Sequence, residues 1–214
     1  MRTRIKMCGM TRSEDVEAAC QAGADAIGMI FYPPSGRYIE VSQAEKLAQH
    51  VSLAVDKVAL FVNPEVNFVN DVVAATGADI LQFHGDESAE FCQQFGRRYI
   101  KALRVKSAAE VAEKIAEHHQ ADAIMLDAYV KGVPGGTGQQ FDWSMTPESI
   151  RHKLFLAGGL NADNVGTAIQ ALRPYAVDVA GGIEQAPGIK DIDKIFAFAE
   201  AVRQADALFI ENSS

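Results

Sequence analysis

The 214-residue chain has few cysteines, and none of them forms a recognisable disulfide or metal-binding motif. Cys8, Cys20 and Cys92 are odd in number, and none belongs to a CxxC pair or to a cluster with histidine. This pattern argues against a disulfide framework and against a zinc site, so we expect no bound metal. The thiols are then expected to be free and reduced.

The sequence also lacks an excess of basic residues and any long apolar run. Its 20 Lys and Arg against 28 Asp and Glu give a formal net charge of -8, which argues against a nucleic-acid partner. A small anionic ligand stays compatible with this charge, because a local site can be positive in an acidic protein. No apolar run approaches the length of a membrane span, and no signal-peptide region opens the chain. We therefore expect a cytoplasmic protein with no membrane partner.

What the chain does contain is a repeated unit of a short apolar run followed by an amphipathic stretch. Three of these units share an Ala-Asp entry, in "AGADAIGMIF", "TGADILQFHG" and "HQADAIMLDA". The runs are apolar on both faces, as buried parallel strands are. Eight strands are predicted, beginning near Ile5, Ala26, Val58, Ile80, Ile100, Ala123, Leu154 and Val177. The last helix is predicted to bury a stripe of Ile192, Ile195, Phe196, Ala199 and Val202.

Eight βα units in a chain of this length predict an α/β fold, the (β/α)₈ TIM barrel, as a single domain over residues 1–214. An open, doubly wound sheet is the alternative, but it would not usually need eight parallel strands. No linker, low-complexity segment or block of charge interrupts the pattern. In such a barrel, functional groups lie at the carboxyl ends of the strands. The polar residues at the predicted strand ends are therefore the candidates for a functional site.

Two strand ends carry groups suited to acid–base chemistry. The first strand ends in "KMCGMT", with Cys8 as its last residue, which is either a buried thiol packing as a small hydrophobe or a reactive thiol at a site. The sixth ends at Asp127, directly after "AIML". A carboxyl group at the edge of an apolar barrel tends to have a raised pKa, which suits a general acid. A helix cap or an ion pair with Lys131 is the alternative role for Asp127.

Three further polar residues are candidates for substrate binding. Arg37, in the loop after the second strand, could pair with a substrate carboxylate, or could be a solvated loop arginine. His84 follows the fourth strand and could bind substrate; a metal is disfavoured because no second His stands at ligand spacing. Asp178 lies on the eighth strand.

Paired glycines follow the last two strands, Gly158 and Gly159 in "AGGLN", and Gly181 and Gly182 in "AGGIE". Each pair alone could serve only a tight turn. Both together, at the seventh and eighth strands, predict a phosphate site built from backbone N–H groups and a helix N-terminus. The long glycine-rich stretch from Asp127 to Trp143 is expected to form a mobile cover over the site.

At this point the motifs resemble those of the phosphoribosylanthranilate isomerase family of tryptophan biosynthesis, over nearly the whole chain. The resemblance depends on the ordered set "KMCGMT", "SGRYI", "FVN", "LQFHGDE", "LDA", "GGTGQQFDW", "LAGGLNADNV" and "VDVAGGIE…PGIKD". The chain departs from the family pattern in having Gly36 where Pro is usual, Met7 where Ile is frequent, and Ala180 and Gly181 where a pair of serines is usual. None of these positions is expected to perform the chemistry.

The resemblance implies the Amadori rearrangement of N-(5-phosphoribosyl)anthranilate to 1-(2-carboxyphenylamino)-1-deoxyribulose 5-phosphate. It implies Cys8 as the general base and Asp127 as the general acid. The substrate nitrogen supplies the electronic push, so no metal or organic cofactor is expected. The expected partner is the small phosphosugar substrate, bound by a monomer or a homodimer.

Three other functions are compatible with such a barrel but are disfavoured by particular residues. A phosphosugar isomerase that uses paired aspartates on the same barrel is disfavoured by Cys8. A metal-dependent epimerase is disfavoured by the missing histidine ligands. A barrel that binds phosphate esters without turning them over is disfavoured by the presence together of Cys8, Asp127 and Arg37.

Overall fold

The computed structural model describes residues 2–103, 108–127 and 146–211 of the chain. Eight parallel strands close into a barrel, each hydrogen-bonded to the next, with the eighth returning to the first. The strands are β1 (Arg4–Cys8), β2 (Ala26–Ile30), β3 (Asp56–Phe61), β4 (Ile80–Phe83), β5 (Arg98–Leu103), β6 (Ala123–Asp127), β7 (Leu154–Ala157) and β8 (Ala176–Val179). The (β/α)₈ barrel is therefore confirmed; its assignment as one domain over residues 1–214 stays a prediction.

Helices cover the outside of the barrel. They are α1 (Ser13–Ala22), α2 (Val41–Ala48), α3 (Val66–Thr76), α4 (Ala89–Gln93), α5 (Ala108–Glu117), α6 (Val165–Leu172) and α7 (Ile192–Glu211). Between β6 and β7 the described residues form a 3₁₀ helix, Glu148–Lys153, rather than an α-helix. A second 3₁₀ helix, Gly181–Ile183, follows β8. It leads into a two-stranded hairpin, β9 (Glu184–Ala186) and β10 (Ile189–Lys190), which the apolar pattern did not predict because these strands are too short.

Side chains alternate between the helix-facing and inward-facing sides of each strand, as a period of two requires. On the outward side, aromatic rings at the carboxyl ends of consecutive strands stack, with Phe31 directly after β2 and Phe61 and Phe83 ending β3 and β4. The ring centroids of Phe31 and Phe61 lie 5.5 Å apart, and those of Phe61 and Phe83 lie 6.1 Å apart. This outer layer joins the strands to the helices. The inward side is filled by a separate apolar cluster that includes Val58, Ile100 and other strand residues.

The buried stripe predicted for α7 is partly wrong. Ile195, Ala199 and Val202 are buried, but Ile192 and Phe196 are 48% and 39% exposed. On a helix with 100° per residue, Ile192 and Phe196 lie at one edge of the buried face. Two residues that were not predicted, Phe198 and Ala205, lie at its other edge and are buried. The face that packs against α1 and α6 is buried, so apolar character alone does not identify the buried residues. No helix in the described part of the chain has the length and apolar character that a membrane crossing requires.

Candidate active site

The Cys8 side chain stands at the carboxyl end of β1, in a small cluster with Ile30 and Leu60. The residue is 2% exposed. Gly28 on the neighbouring strand leaves room for it, because a Cβ at that position would lie 2.6 Å from the Cys8 sulfur. Burial raises the pKa of the Cys8 thiol above its ordinary value, although the Lys6 ammonium opposes this shift. Cys8 is therefore buried, as expected for a thiol that packs as a small hydrophobe. It also lies at the carboxyl end of the barrel, where a reactive thiol would have to lie.

The backbone conformation and the close approach of Arg37 explain why a glycine follows Cys8. Gly9 has φ +75°, a backbone conformation that favours glycine, and a Cβ there would lie 2.5 Å from Cδ of Arg37. The Arg37 stem thus passes directly over the Cys-Gly turn. Its Nε and Nη2 donate to the two carboxylate oxygens of Glu184 at 2.8 and 2.7 Å. The alternative of a solvated loop arginine is excluded, and hydrogen bonding to Glu184 raises the pKa of Arg37.

Glu184 and Lys190, in the hairpin after β8, fix this corner of the barrel. Lys190 Nζ donates to Glu184 Oε1 at 2.9 Å, and to the carbonyl oxygens of Cys8 at 2.6 Å and Ala180 at 3.1 Å. Burial lowers the pKa of Lys190, whereas Glu184 raises it. For Glu184, burial raises the pKa, but Arg37 and Lys190 bring it below its ordinary value. The network ties the ends of β1 and β8 to the arginine loop.

Asp127 is the last residue of β6, and its backbone is in register with Ala157 at the end of β7. It therefore lies at the same end of the barrel as Cys8, as predicted. The structure describes only the backbone of Asp127. The expected cover, Asp127 to Trp143, and the alternative partner Lys131 lie outside the described residues beyond that strand end.

Asp178 and His84 occupy different positions relative to Cys8. Asp178 is in register with Lys6 across β8 and β1, and its Oδ1 accepts from Lys6 Nζ at 2.5 Å. His84 follows β4 directly, and its backbone N–H donates to the Phe61 carbonyl at 2.9 Å. The structure therefore brings Asp178 into the charged group beneath Cys8, and keeps His84 at the end of a strand farther around the barrel. Substrate binding by either residue stays a prediction.

The two glycine loops predicted to bind phosphate contact each other. A Cβ on Gly182 would lie 1.9 Å from the Leu160 carbonyl oxygen, so the loop after β8 packs directly on the loop after β7. Gly158 and Gly159 have φ +93° and +65°. Asn164 Nδ2 donates to the Gly159 carbonyl at 3.0 Å and holds this turn in place. Gly181 opens the 3₁₀ helix beside Arg37, whose Nη2 would lie 3.4 Å from a Cβ there.

Sequence reasoning missed three buried charged residues of this region: Lys6, Glu184 and Lys190. Lys6 had a usable signal, because residues two apart on a strand share a face, so a lysine at this position accompanies Cys8 into the barrel. Glu184 and Lys190 stand in "GGIEQAPGIKD", where only the turn residues indicate a hairpin. Within the described ranges, no three His, Cys, Asp or Glu side chains are grouped in a way that could hold a metal ion.

A closed parallel barrel with an ionisable cluster at the carboxyl ends of its strands defines the chain as a (β/α)₈-barrel enzyme. A family model described as N-(5'phosphoribosyl)anthranilate (PRA) isomerase matches residues 5–201. The chain belongs to this family of isomerases. It is 50% identical over 203 residues to the N-(5'-phosphoribosyl)anthranilate isomerase of Pseudomonas fluorescens, covering 95% of this chain and 97% of that protein. It is 48% identical to the Dechloromonas aromatica enzyme of the same name, covering 96% and 99%.

Solved structures agree with this assignment. The chain is similar to phosphoribosyl anthranilate isomerase from Thermotoga maritima, with a TM-score of 0.87 and 36% identity over 94% of this chain and 99% of that one. It is also similar to a phosphoribosyl anthranilate isomerase in complex with reduced 1-(o-carboxyphenylamino)-1-deoxyribulose 5-phosphate, with a TM-score of 0.83 and 34% identity over the same shares. The resemblance noted from the motifs is therefore confirmed.

Proposed function

We propose that this chain converts N-(5-phosphoribosyl)anthranilate to 1-(2-carboxyphenylamino)-1-deoxyribulose 5-phosphate in tryptophan biosynthesis, with Cys8 as general base and Asp127 as general acid. Membership of the family supports the reaction. One observation carries the assignment of Cys8: the Cys8-Gly9 turn and the stem of Arg37 are in direct contact at the carboxyl end of the barrel. A thiol and a carboxylate-binding group thus share one site. Asp127 is assigned from its place at the end of β6 and from the resemblance to the family.

The reaction divides between an acid and a base. Asp127, as the neutral acid, gives a proton to the furanose ring oxygen; the C1–O bond breaks, and the nitrogen lone pair forms the C1=N bond of a protonated Schiff base. Cys8, as a thiolate, removes the proton from C2, and the electron pair returns to the nitrogen through a C1=C2 double bond. The resulting enolamine tautomerises to the ketose, with the C2 hydroxyl becoming the carbonyl and C1 gaining a proton. No atom is gained or lost overall.

Arg37 supplies the recognition of the anthranilate carboxylate. Its Nε and one Nη2 hydrogen are engaged by Glu184, so the Nη1 edge of the fork is the one that faces the substrate. Fixing the guanidinium in advance lowers the entropic cost of binding. His84 and Asp178 complete the proposed substrate-binding set.

The phosphate is assigned to the loops after β7 and β8, through Gly158, Gly159, Gly181 and Gly182. Backbone N–H groups need no side chain to bind an anion, so the absence of serine hydroxyls at Ala180 and Gly181 leaves this site intact. The packing of Gly182 on Leu160 supports the assignment, because it brings both loops to one place. We assign the chain to the cytoplasm, as a monomer or homodimer; a solved structure at 34% identity shows monomers generated from the dimeric phosphoribosylanthranilate isomerase of Thermotoga maritima.

The decisive experiment is turnover of the substrate by the purified protein, followed by the fluorescence of the anthranilate amine, with and without a chelator. We expect turnover that the chelator does not affect. Cys8→Ala should abolish turnover while product still binds and the circular dichroism spectrum is unchanged. Cys20→Ala, which removes a free thiol on α1, is the control and should retain activity. A Cys8→Ala protein with most of the wild-type kcat would remove Cys8 from the role of base.

A further inference from the structure

Lys6 is a fully buried lysine inside the barrel. It lies on β1 two residues before Cys8, so both side chains project from the same face of the strand. Its neighbours along the strand, Ile5 and Met7, point outward into the helix-facing core. Lys6 is 0% exposed. An ammonium ion in such a place is strongly destabilising unless it is paired, so its presence calls for an explanation.

Asp178 on the adjacent strand provides the pairing. The two residues are directly in register, and Lys6 Nζ donates to Asp178 Oδ1 at 2.5 Å. Lys6 and Cys8 share one face of β1, so the ammonium that pairs with Asp178 also lies near the sulfur. Burial lowers the pKa of Lys6, but Asp178 and Cys8 together raise it above its ordinary value, so Lys6 stays protonated.

The charges around the sulfur are not balanced. Lys6 on β1 pairs with Asp178 on β8, Lys190 on β10 donates to the Cys8 carbonyl, and Arg37, in the loop after β2, lies against Gly9. Glu184 pairs with Lys190 and Arg37. Among the described side chains, this group holds three cations and two carboxylates. A single negative charge at the sulfur would neutralise the excess.

We propose that Lys6 is a positioning residue for the general base: held by Asp178, its ammonium stabilises the negative charge of the Cys8 thiolate on the same face of β1. This inference rests on the proposed function, in which that thiolate removes the C2 proton. Lys6 itself does not exchange a proton with the substrate. Its part is to oppose burial and the Asp178 charge, which raise the pKa of the Cys8 thiol.

The test measures the ionisation of the sulfur directly. Thiolate absorbance near 240 nm is titrated with pH in a Cys20→Ser/Cys92→Ser protein, subtracting the same protein with Cys8→Ala. Lys6→Met should raise the Cys8 pKa by at least about one unit, which lowers the thiolate fraction at neutral pH roughly tenfold. Asp178→Asn should lower the Cys8 pKa, because a negative charge near the sulfur is lost and the Lys6 cation remains. A merely structural role for the pair predicts no such opposite shifts.

Lys101→Met is the matched control. Lys101 is also buried, at 3% side-chain exposure, and its Nζ lies 2.6 Å from Glu87 on the other side of the barrel. Lys101→Met should destabilise the protein without changing the pKa of Cys8. If Lys6→Met does not fold, Lys6→Met/Asp178→Leu removes the pair together and should still raise the Cys8 pKa, because the lost cation has a larger effect on the sulfur than the lost carboxylate. An unchanged titration in the folded Lys6 variant, or equal shifts with Lys101→Met, would overturn the proposal. The Cys8→Ala turnover assay tests the base role separately.

Discussion

Arg37 and Glu184 are joined along one edge of the guanidinium, Nε to Oε1 at 2.8 Å and Nη2 to Oε2 at 2.7 Å. The pairing fixes the plane of the guanidinium and leaves its Nη1 edge for another anion, while the aliphatic stem of Arg37 lies against Gly9. Arg37 thus need not leave Glu184 in order to bind a substrate carboxylate.

Arg37→Ala should therefore raise KM far more than it lowers kcat. Loss of a hydrogen-bonded charge pair with the substrate predicts a KM increase of roughly tenfold or more. The preference for carboxylated over uncarboxylated analogues should also disappear. Arg98→Ala is the control, since Arg98 pairs with Asp56 at 2.8 Å at the amino end of the strands. An unchanged KM, or an unchanged preference for the carboxylate, would contradict the role of Arg37.

Glu184 should make the protein more sensitive to acid. Arg37 and Lys190 outweigh burial and place the pKa of Glu184 below the 4.5 of a free glutamate. A carboxyl group whose folded pKa is lowered contributes stability above its unfolded pKa, and that stability is lost as pH falls through the folded value. The free energy of unfolding, measured with urea, should fall more steeply below about pH 4.5 in wild type than in Glu184→Gln.

The control for this experiment is Glu200→Gln. Glu200 also has a lowered pKa, caused by hydrogen bonds from Arg203 and Gln204, but its side chain is 53% exposed. Exposed pairs contribute little to stability, so this variant should follow the wild-type curve closely. Parallel curves for wild type and Glu184→Gln would show that the buried network carries no acid-sensitive stability.

Asp127→Asn should lower kcat by roughly a hundredfold or more, the usual contribution of a general acid. The amide has nearly the shape of the acid but cannot deliver a proton to the ring oxygen. Steady-state kinetics across pH measures the effect, and the limb of the pH profile that reports the acid should vanish in the variant. A loss confined to KM would make Asp127 a binding residue instead.

The fold could be predicted from the sequence because buried parallel strands need apolar residues on both faces. Each of the eight predicted strand starts lies within two residues of the observed start, for example Val58 against Asp56 and Ile100 against Arg98. Cys8 could be placed for the same reason, as the last residue of an apolar run. Such local patterns require no knowledge of the partners of a side chain.

The charged network could not be predicted in this way, because its partners are far apart in the sequence. Lys6 meets Asp178 across 172 positions, and Arg37 meets Glu184 across 147. Closure of the barrel between β8 and β1 creates the first contact, and the fold of the hairpin creates the second. Charged residues in a short apolar strand indicate that a partner exists, but only the register identifies it.

Gly159 lies in the loop after β7, which is proposed to bind the phosphate. Its φ of +65° favours glycine, and among the described residues no atom lies within 4 Å of the position that a Cβ would take. A side chain there would enter space that the described residues leave open, at the turn where the phosphate is proposed to bind. Gly159→Val should weaken binding of inorganic phosphate roughly tenfold or more, since hydrogen bonds to a charged group are lost, and should raise the substrate KM in parallel.

Gly96 offers a matched control, because its φ is +58° and its Cβ position is equally open within the described part of the chain. Gly96 follows α4, outside the loops after β7 and β8. Gly96→Val carries a similar backbone strain of about 1–3 kcal/mol and should destabilise the protein without affecting phosphate binding. Isothermal titration calorimetry with phosphate separates the two variants, and a crystal soaked in phosphate locates the anion. Equal losses of affinity in both variants, or an anion bound elsewhere with these loops empty at saturation, would refute the site, because the proposal requires the phosphate to contact the Gly159 turn itself.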